Sequence, residues 1–220
     1  MRQDRQNRMM HDVRFLPVIA IISAGLFGLA TPFSKLLVGV IDPWLLAGLL
    51  YLGAGLGLGA IYLFQRINNA STSETSIAGT DAWWLAAAIL CGGVVAPVLL
   101  MLGLNLTSAS SSSLLLNLEV IATISIASLI FREHVSSRLL FGTAFILAGA
   151  VALSWQDGSV TLDMGTLLIA GSCVAWGIDN NVTRKVSGAD PIQITVARGL
   201  VAGIINVSIG LASGASLPEI

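Results

Sequence analysis

Three groups of residues combine types and spacing that could do chemistry, and each falls inside a long apolar stretch. Glu119 is the sharpest, nine residues after Ser110 and twelve before Phe131, which puts it near the midpoint of its stretch. An ionised carboxylate at that depth costs several kcal/mol unless paired or hydrated, so it faces a cavity or a partner. Ser112 and Thr123 share its helical face by seven- and four-residue spacing. Burial favours the protonated form of a carboxyl, the property that proton coupling uses. The plainer alternative is a Glu that locks two helices together. Asp179, Asn180 and Asn181 form a second polar run, with Trp176 one turn earlier. Unsatisfied polar groups inside a span are costly, so this face either lines water or bonds helix to helix. The Trp176 indole can stack on a substrate while donating a hydrogen bond, or simply fill a core position. Lys35, near the end of the first stretch, either snorkels to the interface or faces an anionic group. Arg198 is read as snorkelling too.

What is missing narrows the chemistry further. There is no paired-His metalloprotease signature, no Gly-x-Ser-x-Gly elbow, no phosphate-cradling loop and no dinucleotide fingerprint. No enzyme, cofactor or metal site is therefore expected. Cys91 and Cys173 have neither metal nor redox spacing and read as packing residues. His11 and His134 fall in polar connecting segments and read as solvated.

The elements that must position these residues follow from composition. Of 220 residues, 55% are hydrophobic and 10% charged, and mean hydropathy is +0.86. That excludes a disordered tail, a nucleic-acid binder or a secreted disulfide scaffold, and leaves an integral membrane protein. The net charge of −1 points to no polyanionic partner. Apolar runs long enough to span predict seven helices, roughly Phe15–Val40, Pro43–Phe64, Ala82–Leu104, Ser108–Phe131, Leu139–Trp155, Met164–Val182 and Pro191–Ala212. The runs do not alternate as barrel strands would. The basic front of the first is followed by a stretch too long for a signal peptide. Trp44, Trp83, Trp84 and Trp155 fall at expected interfaces, and Trp176 does not. Gly53, Gly55, Gly57 and Gly59 give the second span two small-xxx-small pairs for close helix contact. The Ser- and Thr-rich stretch from Asn68 to Asp81 reads as a surface connection.

Self-similarity adds an organising rule. Ser23, Phe27-Gly28, Lys35, Gly39 and Asp42-Pro43 match Ser172, Trp176-Gly177, Arg184, Gly188 and Asp190-Pro191 at an offset of 149, which becomes 148 at the Asp-Pro pair. Gly55 and Gly203 continue the register. Five spans separate the copies, and an odd number inverts the second copy in the bilayer. Inverted repeats characterise secondary transporters, because halves of opposite orientation exchange conformations to open each side in turn. A second copy as long as the first would need ten spans, so the sequence is expected to stop within it, with Ser216–Ile220 an interrupted loop. The expected units are a tail at 1–14, a first five-helix repeat at 15–155 and an incomplete second repeat at 164–220.

These residues resemble the EamA-like branch of the drug/metabolite transporter superfamily. The likeness rests on the aromatic-Gly, Pro32 and Lys35 of the first span, LLLNLEVIATISIASLIFREHV from Leu114 to Val135, the Gly-rich fifth span, and AWGIDNNVTRKVSGADP from Ala175 to Pro191. Many family members carry proline at the Glu119-Val120 pair, whereas this chain reads Asn-Leu-Glu. The resemblance implies ten spans in two halves, a central substrate path and, mostly, export of small metabolites. The expected path residues are Phe27, Thr31, Lys35, Asn117, Glu119, Trp176, Asp179 and Asn180, with Glu119 the group that responds to protons and Asp179 in reserve because Arg184 and Lys185 lie within two turns of it. The expected partners are a small-molecule substrate, the bilayer and protons, in a multi-pass inner or plasma membrane setting. Two alternatives stay open: uptake or exchange of an anionic metabolite held by Lys35, Arg184 and Arg198, and a seven-span receptor, which the repeat and a cytoplasmic N-terminus oppose.

Orientation follows from charge. Nine of the eleven Lys and Arg residues lie in the N-terminal tail and in the segments around Arg66, Arg132–Arg138 and Arg184–Lys185, while the alternate connections carry none. Cationic loops resist translocation, so that side is cytoplasmic. Single cysteines at Asp42 and Asp157 should react with an impermeant thiol reagent added outside intact cells. Labelling only after the membrane is opened would reverse the assignment.

Overall fold

The computed structural model describes residues 2–68, 79–156, 163–186 and 190–216. Gly188, Asp157, most of the Asn68–Asp81 connection and residues 217–220 lie outside the described residues, as do the side chains of His11 and Trp155. Among the described residues there is no β-strand, and the chain makes seven helical passages. They are α1 (Arg2–Val38), α2 (Pro43–Ile67), α3 (Ala82–Leu106), α4 (Ala109–Leu129), α5 (Ser137–Gln156), α6 (Met164–Thr183) and α7 (Pro191–Ala212). Pro17–Val38 of α1 and all of α2, α3, α4 and α7 are long and apolar enough to cross a membrane. Apolar residues in α5 make a shorter stretch, Ser137–Gly149. Large apolar side chains such as Phe33, Leu36, Trp83 and Phe145 project outward, as lipid-facing positions require. The protein is an all-helical, multi-span membrane bundle.

Two Asp-Pro pairs open equivalent helices. Asp42 Oδ1 accepts from the Trp44 and Leu45 amides at 2.8 and 3.3 Å, and Asp190 Oδ1 accepts from the Ile192 amide at 2.8 Å. Each Asp satisfies orphan donors at a helix start, and proline at the first helical position lacks only a donor that would be orphaned anyway. The helices so started, α2 and α7, form the most extensive helix pair in the fold. Leu45, Gly48, Leu52, Gly55, Gly59 and Tyr62 of α2 meet Gly210, Val207, Gly203, Leu200, Val196 and Gln193 of α7. Adding 148 to the α2 positions gives this α7 set, with the partners running in opposite order, as antiparallel helices require. The backbones nearly touch: a Cβ at Gly55 would lie 2.7 Å from the Leu200 amide nitrogen, and one at Gly199 2.6 Å from the Gly55 Cα. Of the expected small-residue pairs, only Gly55 and Gly59 serve this contact. Gly53 and Gly57 have nothing within 4 Å of a Cβ.

Two spans expected to be regular helices are not. In α3 the segment Ile89–Val95 widens into π-helical turns, and the Ala96 amide donates to Cys91, five residues back. Pro97 follows and has no amide hydrogen, so carbonyls in the turn before it lose a helical donor. In α4 a turn at Leu116 and Asn117 interrupts the helix two residues before Glu119. Ser112 lies before that turn and Glu119 after it. Ser112 is buried and donates to the Ser108 carbonyl at 2.7 Å.

Gly199→Ala should cost about 1–3 kcal/mol by overpacking the α2–α7 contact. Gly53→Ala should instead raise stability by roughly 0.5–1 kcal/mol by restricting the unfolded backbone. Thermal unfolding of the two variants in detergent should therefore shift in opposite directions.

Candidate functional site

The polar run of α6 lies in its last two turns, with Asp179 and Asn181 buried and Asn180 exposed, and its residues bond neighbours on α4 and α7. Asp179, almost wholly buried, accepts from the Arg198 guanidinium of α7 and from the Thr183 hydroxyl at 2.9 Å. The same guanidinium donates to Thr183 Oγ1 at 2.9 Å. Asn180 Nδ2 donates to Glu119 Oε1 at 2.9 Å and to Thr123 Oγ1 at 3.2 Å on α4. Asn181 Nδ2 donates to the carbonyls of Thr123 and Gly177 at 2.9 and 2.8 Å, and its Oδ1 accepts from Arg184.

This arrangement corrects two expectations about the cations. Arg198 does not snorkel, because a buried carboxylate one helix away offers charge compensation inside the bundle. Arg184 and Lys185 do not serve Asp179. Arg184 pairs with Glu133 at 2.7 Å, and Lys185 stands 5.2 Å from the Phe131 ring centroid. Both contacts tie the end of α6 to the segment after α4. Lys35 takes a third course, donating its ammonium to the carbonyls of Leu104 and Asn105 where α3 ends. A cation there complements the negative end of the helix.

The widened turn of α3 joins this polar centre to an aromatic wall. The Gly92 carbonyl accepts from Tyr51 Oη of α2 at 2.5 Å and from Trp176 Nε1 of α6 at 3.1 Å, and the Gly93 carbonyl accepts from Asn206 of α7 at 2.9 Å. Gly92 also packs directly on Asp179, where a Cβ would fall 2.0 Å from the carboxylate. No residue with a side chain fits between them.

Above this floor lie two adjoining compartments that share Phe27, Thr31 and Leu116. The first, about 200 Å³, is apolar, with Tyr51, Met101 and Trp176 among its walls. The second, about 310 Å³, is polar and is completed by Gly28, Ser113, Asn117, Glu119 and Val120. Of the expected path residues, Phe27, Thr31, Asn117, Glu119 and Trp176 line these compartments, and Asn180 joins them through Glu119. Lys35 and Asp179 line neither. Trp176 both lines a cavity and bonds the wall. Two contributors escaped the sequence reading. Tyr51 is one of the chain's two tyrosines and lies inside a span, a signal of the same kind as Trp176. Gly92 carried no signal beyond Pro97 downstream.

Residues 15–155 match the model of the EamA-like transporter family. The chain belongs to that family. It is also 29% identical over 210 residues to a protein of Methanothermobacter thermautotrophicus named an uncharacterized transporter, a match covering 89% of this chain and 61% of that protein. The chain thus spans less than two thirds of its relative's length. No solved structure matches it. In this EamA-like chain, Asn117 and Glu119 of the Asn-Leu-Glu sequence stand at the α4 break. Asn117 Nδ2 donates to the Leu114 carbonyl at 2.9 Å, which also accepts the Asn117 backbone amide at 3.2 Å.

Arg198→Met should destabilise the protein by about 3–5 kcal/mol, because it leaves the Asp179 carboxylate buried and uncompensated. Adding Asp179→Asn removes that charge, so the double variant should unfold at a higher temperature than Arg198→Met alone.

Proposed function

We propose that the protein is a secondary active transporter that exports small organic metabolites or amphipathic compounds by alternating access, coupled to protons through Glu119. The observation that carries this reading is the pair of compartments inside a membrane bundle, walled by Phe27 and Thr31 of α1 and by Trp176 of α6. Phe27 and Trp176, which wall the apolar compartment, stand at the 149-residue offset, in keeping with walls drawn from equivalent places in a repeat. The α2–α7 contact at positions related by 148 adds support, since repeat-related helices packed antiparallel suit two halves of opposite orientation. Family membership and the relative's name favour transport over a receptor role. The orientation we infer has the N-terminus in the cytoplasm of a cell bounded by this plasma membrane. The Glu133–Arg184 pair supports it by drawing two cationic segments to one end of the bundle.

Glu119 suits the coupling role because its described partner is a neutral amide, so the bond tolerates either protonation state of the carboxyl. Asp179 suits it less, being held by a guanidinium. Glu119→Gln keeps the shape and removes the titration. In liposomes, exchange of substrate between equal pools should survive in this variant while uphill, gradient-driven export is lost. Concentration of substrate at the unaltered rate and pH dependence would make Glu119 a structural residue.

A further inference from the structure

We infer that the paired compartments bind an organic monocation carrying an aromatic ring, with the ring in the apolar compartment and the ammonium at Glu119. The inference rests on the transport reading for its physiological meaning and deepens it by naming the substrate class.

Charge is the first consideration. Glu119 forms no salt bridge among the described residues, and neither compartment is lined by Lys or Arg. The cations that an anionic substrate would need are committed elsewhere: Arg198 to Asp179, Arg184 to Glu133 and Asn181, Lys35 to two carbonyls. An anion entering the polar compartment would meet a carboxylate and no compensating charge, which is unfavourable.

Hydrogen bonding is the second, because the polar wall, apart from the Thr31 hydroxyl, keeps its acceptors and spends its donors. Ser113 Oγ donates to the Ala109 carbonyl at 2.9 Å, leaving an oxygen with lone pairs. Asn117 Nδ2 is taken by Leu114, leaving Oδ1. Asn180 Nδ2 is divided between Glu119 and Thr123. Gly28 lies four residues before Pro32, which has no amide hydrogen, so its carbonyl lacks a helical donor, and Gly28 lines this compartment. An ammonium has donors only and complements such a wall.

Shape and aromatic chemistry are the third. A dry cavity of about 150 Å³ accepts benzene, so the apolar compartment of about 200 Å³ has room for one ring. Tyr51 and Trp176 turn their polar ends to the Gly92 carbonyl, so they offer the cavity ring surface rather than donors. Phe27, shared by both compartments, puts another ring beside the cation's position, where attraction to the ring face adds to that of the carboxylate.

The test uses the full chain, purified in detergent, and three probes with one ring and closely matched chains: 2-phenylethylammonium, 2-phenylethanol and 3-phenylpropionate. Equilibrium binding at neutral pH should favour the cation at least about tenfold over the other two. Glu119→Gln should reduce the cation's affinity to that of the alcohol, and Trp176→Leu should weaken cation and alcohol alike. Equal or tighter binding of the anion, no measurable binding of the cation, or an unaltered cation preference in Glu119→Gln would overturn the inference. The comparison on the unaltered protein stands whether or not the variants fold. Binding is read without a gradient, so cation preference without uphill transport would remove the transport reading alone. Uphill transport with anion preference would remove the cation assignment alone.

Discussion

The bundle depends on one turn of α6, where three consecutive polar side chains must find partners in a medium that supplies none. Hydrocarbon offers no hydrogen bonds, so each unpaired group there costs several kcal/mol and the helix is stable only where neighbours complete it. Successive helical residues point about 100° apart, and so Asp179 reaches Arg198 of α7 while Asn180 reaches Glu119 and Thr123 of α4. Asn181 closes on the Thr123 carbonyl and on its own helix at Gly177. A helix too polar to count as a span on its own thereby becomes central to the assembly.

That constraint propagates into α3. The Asp179 carboxylate occupies the space where a side chain at position 92 would stand, so α3 must present glycine there. Pro97 and the π-helical turns expose carbonyls at that level, and Tyr51, Trp176 and Asn206 reach in from three other helices to satisfy them. Apolar burial gives little net attraction between helices in lipid, where the tails are as apolar as leucine. Close packing and interhelical hydrogen bonds do more of the work. The Gly-lined α2–α7 contact and the α3 carbonyl cluster are examples in this fold.

The cavity is a by-product of the same satisfactions. Tyr51 and Trp176 are turned by the Gly92 carbonyl so that their rings wall the apolar compartment. Asn180 steadies Glu119 without neutralising it. Asn117 and Glu119, at and just after the α4 turn, line the polar compartment, and the Asn117 side chain folds back onto the Leu114 carbonyl. Charge compensation is spent on Asp179 and Glu133, away from the compartments, which leaves Glu119 to set the electrostatic character of the space.

Local properties of the chain were enough to specify the helices and the membrane setting, because length and hydropathy are written in consecutive residues. The family likeness was legible from short stretches for the same reason. Glu119, Asn180 and Trp176 also stood out, because polar or amphipathic groups are costly inside a span wherever it packs. Pairings between distant segments were not legible. Arg198 looked able to snorkel, since nothing in its own helix shows that Asp179 faces it 19 positions earlier in the chain. Gly53 and Gly55 looked equivalent, yet only the rotation of α2 against α7 decides which meets a backbone. Lys35 had the right charge for an anion site, and the end of α3 claimed it. Sequence states what each residue requires. Tertiary structure decides which neighbour supplies it, because partners are allotted by helix rotation and depth, to which residues far apart in the chain contribute together.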